Sequence, residues 1–313
     1  MRILLVRLDG VGDAAVCVPL VAGLRAAGHA VGVALSTRNA GLFAQDAIVA
    51  EHVLERIPWP AHGSTPESTA RARAEIAAQR YDVALIASEE PEAFTLAAAI
   101  PERIGFVTGW ARPFKTLWVR SRLTRAIPRA QTTGGEHAHE VEIIYRLGAG
   151  LVDAPQPSGD PLRLRTVLAV DAAVPQRAGI VFQAGAKWTD TGVPVPAQRN
   201  IVRRLARAGL RVVAAPGEAA DVRAALGVTP ETFATLPAWM AALDRAATVV
   251  TVDTGAAHVA GMLGVRTIDV FPDRDFAAQV RRWEPWASPG AVISACRAGG
   301  AGAAVIEAAL DAG

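Results

Sequence analysis

Two short stretches of this chain carry residue types whose spacing suits phosphate and proton chemistry. In Thr248-Val-Val-Thr-Val-Asp-Thr-Gly-Ala-Ala-His258, an apolar run enters an Asp-Thr-Gly turn and leaves into a helical pattern. A helix opened by a small, glycine-containing turn offers free backbone N–H groups, which together with the helix dipole favour a phosphate. When a bond to a diphosphate breaks, charge builds on the leaving group, and such fixed donors stabilise it without reorganising. An ordinary strand–helix turn has the same local chemistry. Asp253 and His258 flank the turn, so side chains can address whatever the phosphate carries, although an isolated histidine more often packs and hydrogen-bonds.

The second stretch is Arg2-Ile-Leu-Leu-Val-Arg-Leu-Asp-Gly-Val-Gly-Asp13. Its Gly10-x-Gly12-x-x-Ala15 spacing satisfies a loose dinucleotide fingerprint, whose glycines allow a tight turn and close approach of a ligand. Asp13 adds specificity. A carboxylate at the carboxyl end of a first strand points to where ligands bind in such sheets. It can serve there as a general base if an acceptor hydroxyl is within hydrogen-bond reach; its competing role is a helix cap. One such turn in each half implies a cleft between two domains.

Four further groups invite a role. In Gln183-Ala-Gly185-Ala-Lys187-Trp188, Lys187 offers a point charge to a phosphate and Trp188 a wall; the plain alternative is a solvated lysine beside a core tryptophan. Glu218 and Asp221 follow a later strand, where an acid commonly receives ribose hydroxyls or complements a helix N-terminus. Glu89 and Glu90 end a first-half strand, placed for acceptor hydroxyls, an acceptor amine, or a cap before Pro91. Arg112, Lys115, Arg120, Arg122, Arg125 and Arg129 make one region basic, either a dock for an anionic acceptor or a solvated face.

The elements that must hold these residues alternate, short apolar strands with alanine- and arginine-rich helical patterns, which is the signature of a parallel α/β architecture. Strands are predicted at Ile3–Leu8, Val31–Ser36, Asp82–Ala87, Gly179–Gln183, Arg211–Ala215, Val249–Val252 and Thr267–Phe271. Helices are predicted near Pro19–Ala27, Pro66–Gln79, Ala197–Ala208, Ala219–Leu226, Ala238–Ala246, Ala256–Leu263 and Ala303–Ala312. The Pro/Gly/Asp-rich stretch Asp153–Pro161 reads as a linker. It divides residues 1–158 from 159–313, with the terminal helix free to pack back on the first domain.

Composition sets bounds. The 313 residues suffice for two cores, 51% are apolar and 20% charged, and the net charge of +2 gives no global pull toward nucleic acid. Cys17 and Cys296 have neither metal nor disulfide spacing, which fits a reducing cytosol. Arg7, Asp9 and Asp13 interrupt the N-terminal apolar run before it reaches signal-peptide length, and no stretch has the roughly 20 apolar residues of a membrane span. A soluble cytoplasmic protein is expected, with room for peripheral contact at the inner face of a membrane.

Taken together, Arg7-Leu-Asp-Gly-Val-Gly-Asp13 with Pro19, Arg103-Ile-Gly-Phe106, His139-Glu140-Val-Glu142, Val252-Asp-Thr-Gly-Ala-Ala-His258, Gly264–Phe271 and Trp283…Pro285-Trp286 resemble the ADP-heptose lipopolysaccharide heptosyltransferases, glycosyltransferase family 9. The likeness spans nearly the whole chain in order. It implies a GT-B fold: two Rossmann-like domains, an N-terminal one for the acceptor and a C-terminal one for the nucleotide sugar. It also implies metal-independent inverting transfer of heptose from ADP-heptose, a substrate, with no cofactor. Asp13 then matches the catalytic base, and Thr254 and Gly255 the backbone donors to the diphosphate. Asp253 and His258 lie near the heptose, Lys187 and Gly185 at the phosphates, Asp221 (preferred to Glu218) at the ribose, and backbone around Phe233–Leu236 at the adenine. Gly10, Gly12, Glu89, Glu90, Arg112 and Arg120 fall to the acceptor, a lipopolysaccharide core sugar or, given two adjacent carboxylates, an amine-bearing natural-product sugar. Two rivals stand beside this: an NAD(P) oxidoreductase reading Gly10-x-Gly12-x-x-Ala15, with Ser36-Thr37-Arg38 suiting a 2′-phosphate, and a catalytically silent sugar-nucleotide binder.

Overall fold

The computed structural model describes residues 1–56, 63–107, 112–129, 132–133, 136–300 and 302–311. The chain forms two compact units, Met1–Ser158 with Thr166–Ala169, and Gly159–Arg165 with Val170–Gly313.

The first unit is built on β1 (Arg2–Val6), β2 (Ala30–Ser36), β3 (Ala50–Leu54), β4 (Val83–Ile86), β5 (Glu102–Val107) and β6 (Arg125–Pro128). They form one six-stranded sheet in the order β3-β2-β1-β4-β5-β6, with every pair parallel. The central strands β1 and β4 are almost wholly buried, as expected of strands covered by helices on both faces. Two two-residue strands, β7 (Thr132–Thr133) and β8 (Glu136–His137), pair antiparallel outside this sheet. The helix Pro66–Ala78, between β3 and β4, starts where the residues dictate. Pro66 takes the first position, where its missing N–H costs nothing, and Thr65 Oγ1 accepts from Ser68 N at 3.1 Å.

The second unit contains β9 (Ile180–Gln183), β10 (Leu210–Val213), β11 (Thr248–Val252), β12 (Arg266–Phe271) and β13 (Gly290–Ser294), all parallel in the order β10-β9-β11-β12-β13. Phe182, Val250, Val252, Ile268 and Val270 meet Ile201, Leu205 and Trp188 in its core. The terminal helix, Ala303–Leu310, places Val305, Ile306 and Ala309 in this same core, so its apolar face is buried within the second unit; Ala312 lies outside the described residues.

All seven predicted strands are present within a residue or two of their expected ends. Six others were not anticipated: the two-residue β7 and β8, and in the two main sheets β3, β5, β6 and β13. β3 carries Glu51 and His52, β5 opens on Glu102-Arg103, β6 is four residues ending in Pro128, and β13 sits between glycine and serine. Three of them are sheet edges, where partial burial removes the continuous apolar signal.

Strand order fixes where ligands belong. In open parallel sheets they bind outside the carboxyl ends of the strands, where the winding reverses. The chain winds outward from β1 through β2 to β3 and returns to β4, so the first reversal lies between β1 and β4. The second lies between β9 and β11. Asp9–Asp13 follows β1 and Ser88–Glu90 follows β4; Gly185–Lys187 follows β9 and Asp253–Gly255 follows β11. Among the described residues no helix is long and apolar enough to cross a membrane.

Candidate functional site

In the first unit the short helix Val11–Ala15 begins directly after Gly10, so Gly12 and Asp13 are both inside it. Asp13 Oδ2 reaches back to accept from Gly10 N at 3.3 Å, while Oδ1 accepts from Arg7 Nη2 at 2.6 Å. Asp13 therefore caps the helix and still shows about a third of its side chain, 36%, to solvent. Arg7 is buried, donates through Nη1 to Ala87 O, and has Nε 3.0 Å from Asp9 Oδ2, an ion-pair distance off the hydrogen-bond direction. Burial works against the guanidinium charge, but the carboxylates of Asp9, Asp13 and Glu140 act to raise its pKa, which stands above the ordinary arginine value. Burial pushes the Cys17 thiol up to about 12, which makes it a packing residue and not a nucleophile.

Glu89 and Glu90 leave β4 already engaged. Glu89 accepts from Lys115 Nζ at 2.6 Å and Arg129 Nη1 at 3.1 Å; Glu90 takes both terminal nitrogens of Arg56, at 2.5 and 2.8 Å. Partial burial works to raise both carboxyls. At Glu89 the Lys115 hydrogen bond and charge, with Arg129 and Arg7, overcome it and bring the pKa below the usual range. At Glu90 burial wins over Arg56, helped by Asp9 and Glu92, and the pKa is raised. Arg112 and Arg120 stand at the two ends of the helix Pro113–Arg120, exposed and without a side-chain partner among the described residues. Phe114 and Leu117 on the same helix are also exposed. His139 and Glu142 form a capping box on the helix Glu140–Tyr145, a structural role for that motif.

In the second unit β9 ends at a turn gripped from the side. Glu218 Oε1 accepts from Ala186 N at 3.1 Å, and a Cβ on Gly185 would stand 2.8 Å from Glu218 Oε2, so a larger residue there would push this carboxylate aside. Glu218, not Asp221, is thus the acid brought to the turn. Asp221 lies exposed in the first turn of the helix Ala219–Leu226, because a helix starting at Ala219 carries it past the strand end. Lys187 begins the next helix exposed and without a side-chain partner among the described residues. Trp188 is core, stacked on Phe182 at 4.6 Å with Nε1 donating to Gln183 O, so it supports the turn from below. Thr235, within the segment expected at the adenine, caps the helix Leu236–Asp244.

The Asp-Thr-Gly turn sits on β11. Thr254 is the N-cap of the helix Gly255–Met262: its Oγ1 accepts from Ala256 N at 3.3 Å and lies 3.0 Å from Thr251 Oγ1. No group among the described residues accepts from Thr254 N or Gly255 N. His258 is buried on that helix, with Nε2 3.5 Å from Asp253 Oδ1 and the Trp283 ring against it, centroids 5.8 Å apart. The Trp283…Pro285-Trp286 motif buttresses the same helix, since a Cβ on Gly261 would meet Trp286 O at 2.7 Å and Pro285 Cβ at 3.0 Å.

Beside this turn the structure reveals a residue to which the sequence assigned no role. Asp269 pairs in register with Thr251, is fully buried, and has neither carboxyl oxygen hydrogen-bonded among the described residues. Burial first, then the charge of Asp253, push its pKa well above the usual carboxylate range. The folded state therefore holds a proton that an unfolded aspartate releases near about pH 3.9. Between those two values the folded state carries the extra proton, so stability falls as pH rises. Asp269→Asn is expected to raise the melting temperature at neutral pH and flatten its decline. Melting curves from about pH 4 to about pH 8 check this; a slope unchanged from wild type assigns the effect elsewhere.

The sequence profile described as glycosyltransferase family 9 (heptosyltransferase) matches residues 69–299. Among solved structures, the glycosyl transferase family 9 protein from Veillonella parvula DSM 2008 shares 16% identity, covering 97% of this chain and 88% of that one, with a TM-score of 0.69. E. coli heptosyltransferase WaaC with ADP shares 20% over 94% of each chain, TM-score 0.67. E. coli ADP-heptose lps heptosyltransferase II shares 16% over 94% of this chain and 90% of that one, TM-score 0.63. No curated protein sequence matches the chain. At these identities the structures establish the fold, GT-B with two Rossmann-like domains, while the profile covers well over half of the chain. The chain accordingly belongs to glycosyltransferase family 9, the heptosyltransferases, and is a glycosyltransferase.

Proposed function

We propose that this glycosyltransferase moves heptose from ADP-heptose to a sugar hydroxyl with inversion and without a metal. The observation that carries the donor half is the pair of N–H groups, Thr254 and Gly255, unengaged among the described residues at the start of an eight-residue helix on β11, with Lys187, also without a side-chain partner among them, following the neighbouring β9. In the reaction the acceptor oxygen attacks the anomeric carbon as its proton passes to Asp13. The bond from that carbon to the diphosphate breaks, and ADP leaves with the electron pair. The two N–H groups and Lys187 take up the charge on the departing phosphate. A single displacement inverts the anomeric centre. Asp253 and His258 address the heptose. Glu218, already at the turn, is better placed for the ribose than Asp221. The ADP held by WaaC is consistent with this donor.

For the acceptor, Glu89 and Glu90 already have cations of their own, whereas Arg112 and Arg120 have no carboxylate partner among the described residues. That balance favours an anionic acceptor, such as a phosphorylated lipopolysaccharide core sugar, over an amine. The nicotinamide reading loses support at Gly10-Val-Gly12, where the Asp13 carboxylate takes Gly10 N and would repel a pyrophosphate.

Calorimetric titration with ADP-heptose tests the donor. Lys187→Ala is expected to weaken binding about tenfold or more, the loss of one charged hydrogen bond. Absence of binding together with no ADP release from any ADP-sugar would remove the proposal. Anomeric configuration of the product by NMR decides inversion.

A further inference from the structure

The first unit holds a cluster of three charged groups of which the proposed reaction uses one. Arg7, 5% exposed, faces two carboxylates, Asp13 at 2.6 Å and Asp9 at 3.0 Å. A guanidinium poses a difficulty for a neighbouring base. It favours the ionised carboxylate and loosens the hold on a proton by roughly one to three pH units when within about 4–6 Å. Alone with Arg7, Asp13 would be well placed and weak.

We infer that Arg7 and Asp9 form a positioning and tuning pair. Arg7 fixes the Asp13 carboxylate, and Asp9 offsets the Arg7 charge so that Arg7 is not neutralised by Asp13 alone. Arg7 and Asp9 together carry no net charge, which leaves Asp13 with the surplus negative charge. Protonating Asp13 then removes an excess charge instead of breaking a balanced pair. This inference rests on the reading of Asp13 as the base.

The pair is anchored from several elements. Ser88 Oγ, beyond β4, donates to Asp9 Oδ2 at 2.8 Å. Buried Asn39, beyond β2, donates through Nδ2 to Arg7 O at 3.1 Å and Asp9 O at 3.2 Å while its Oδ1 accepts from Ser36 N. The other charged or titratable groups facing the cluster are settled elsewhere. Cys17 stays a neutral thiol, Glu140 is held by Arg129, Glu89 by Lys115 and Arg129, and Glu90 by Arg56. Among the described residues, Asp9 and Asp13 draw on the same single cation.

The test needs no acceptor. Full-length protein labelled with [4-13C]aspartate is titrated by NMR, with the Asp13 carboxyl signal identified by its loss in Asp13→Asn. In Asp9→Asn the titration midpoint of Asp13 is expected to fall by about one pH unit or more, and in Arg7→Met to rise by a similar amount. Opposite movements are the signature, since general loosening of the turn would move both variants the same way. An unmoved midpoint in Asp9→Asn, or shifts of the same sign, overturns the inference. Should Arg7→Met fail to fold, Asp9→Asn, which keeps the shape of the side chain, decides alone. Turnover retained by Asp13→Asn would remove the base reading and leave the titration result standing. An inactive Asp13→Asn with an unmoved midpoint in Asp9→Asn would remove the tuning alone.

Discussion

Asp13→Asn is expected to slow transfer by roughly a hundred- to ten-thousand-fold while ADP-heptose affinity stays close to wild type. The amide matches the carboxylate in size and can still accept from Gly10 N, so the helix start is retained. What it cannot do is take the acceptor's proton. The groups assigned to the diphosphate, Thr254, Gly255 and Lys187, lie in the other unit and are untouched. Initial rates of ADP release at saturating donor, with a parallel calorimetric titration, separate the two effects. Wild-type turnover in Asp13→Asn would eliminate the residue as base. A large loss of donor affinity would make its role one of binding.

The largest expected effect on stability lies away from the chemistry, at Asp244. Its carboxylate takes both terminal nitrogens of Arg165, at 2.8 and 2.5 Å, and Nη2 of Arg177 at 3.2 Å. Arg165 is 2% exposed and Asp244 3%. Removing one partner of a buried pair leaves the other charge uncompensated, which costs about 3–5 kcal/mol. Asp244→Ala should therefore destabilise the second unit by about that amount and lower its melting temperature by on the order of ten degrees. Backbone carbonyls accept from both arginines, Asp171 O and Ala173 O from Arg165 and Leu263 O and Gly264 O from Arg177, but Arg177 would suffer less because 22% of its side chain reaches solvent against 1% for Arg165. Urea denaturation of wild type, Asp244→Ala and the double variant Asp244→Leu/Arg165→Met checks the assignment. Recovery in the double variant is expected, since replacing the whole pair removes both buried charges; a single-variant loss below about 1 kcal/mol, the range of exposed pairs, would show that water reaches Arg165.

Residues at strand ends were legible in the sequence because a strand followed by a glycine turn and a helix is a local pattern. Asp13, Lys187 and Asp253–Gly255 all belong to such patterns, and each follows a strand that brackets a reversal of winding. What depends on contacts across strands was not legible. Asp221 was preferred to Glu218, and even with the helix expected from Ala219 the sequence does not reveal that Glu218 reaches across to Ala186 N beside Gly185. In the sequence Arg7 and Asp9 stand only as parts of a motif and as breaks in an apolar run, since their sharing of charge with Asp13 requires a folded turn. Asp269 looks like one polar residue in a strand, and its isolation follows from register with Thr251. The edge strands β3, β6 and β13 escaped for a related reason: their burial depends on neighbours brought in from elsewhere.

The strand order also decides when a binding turn can exist. Ile3 lies beside Val83 and Ile180 beside Thr248, whereas Val83 lies beside Glu102 and Thr248 beside Arg266. In each sheet the strands that bracket the reversal are thus the neighbours farthest apart along the chain. Closing a longer stretch of chain costs more entropy, and such pairings are slow to form. A chain emerging from the ribosome can pair β1 with β2 while β4 is still unmade, and β9 with β10 before β11 exists. In each half, then, the two strands whose ends carry the candidate turns form the pairing with the greatest closure cost, and it is expected to form after its shorter-range neighbours.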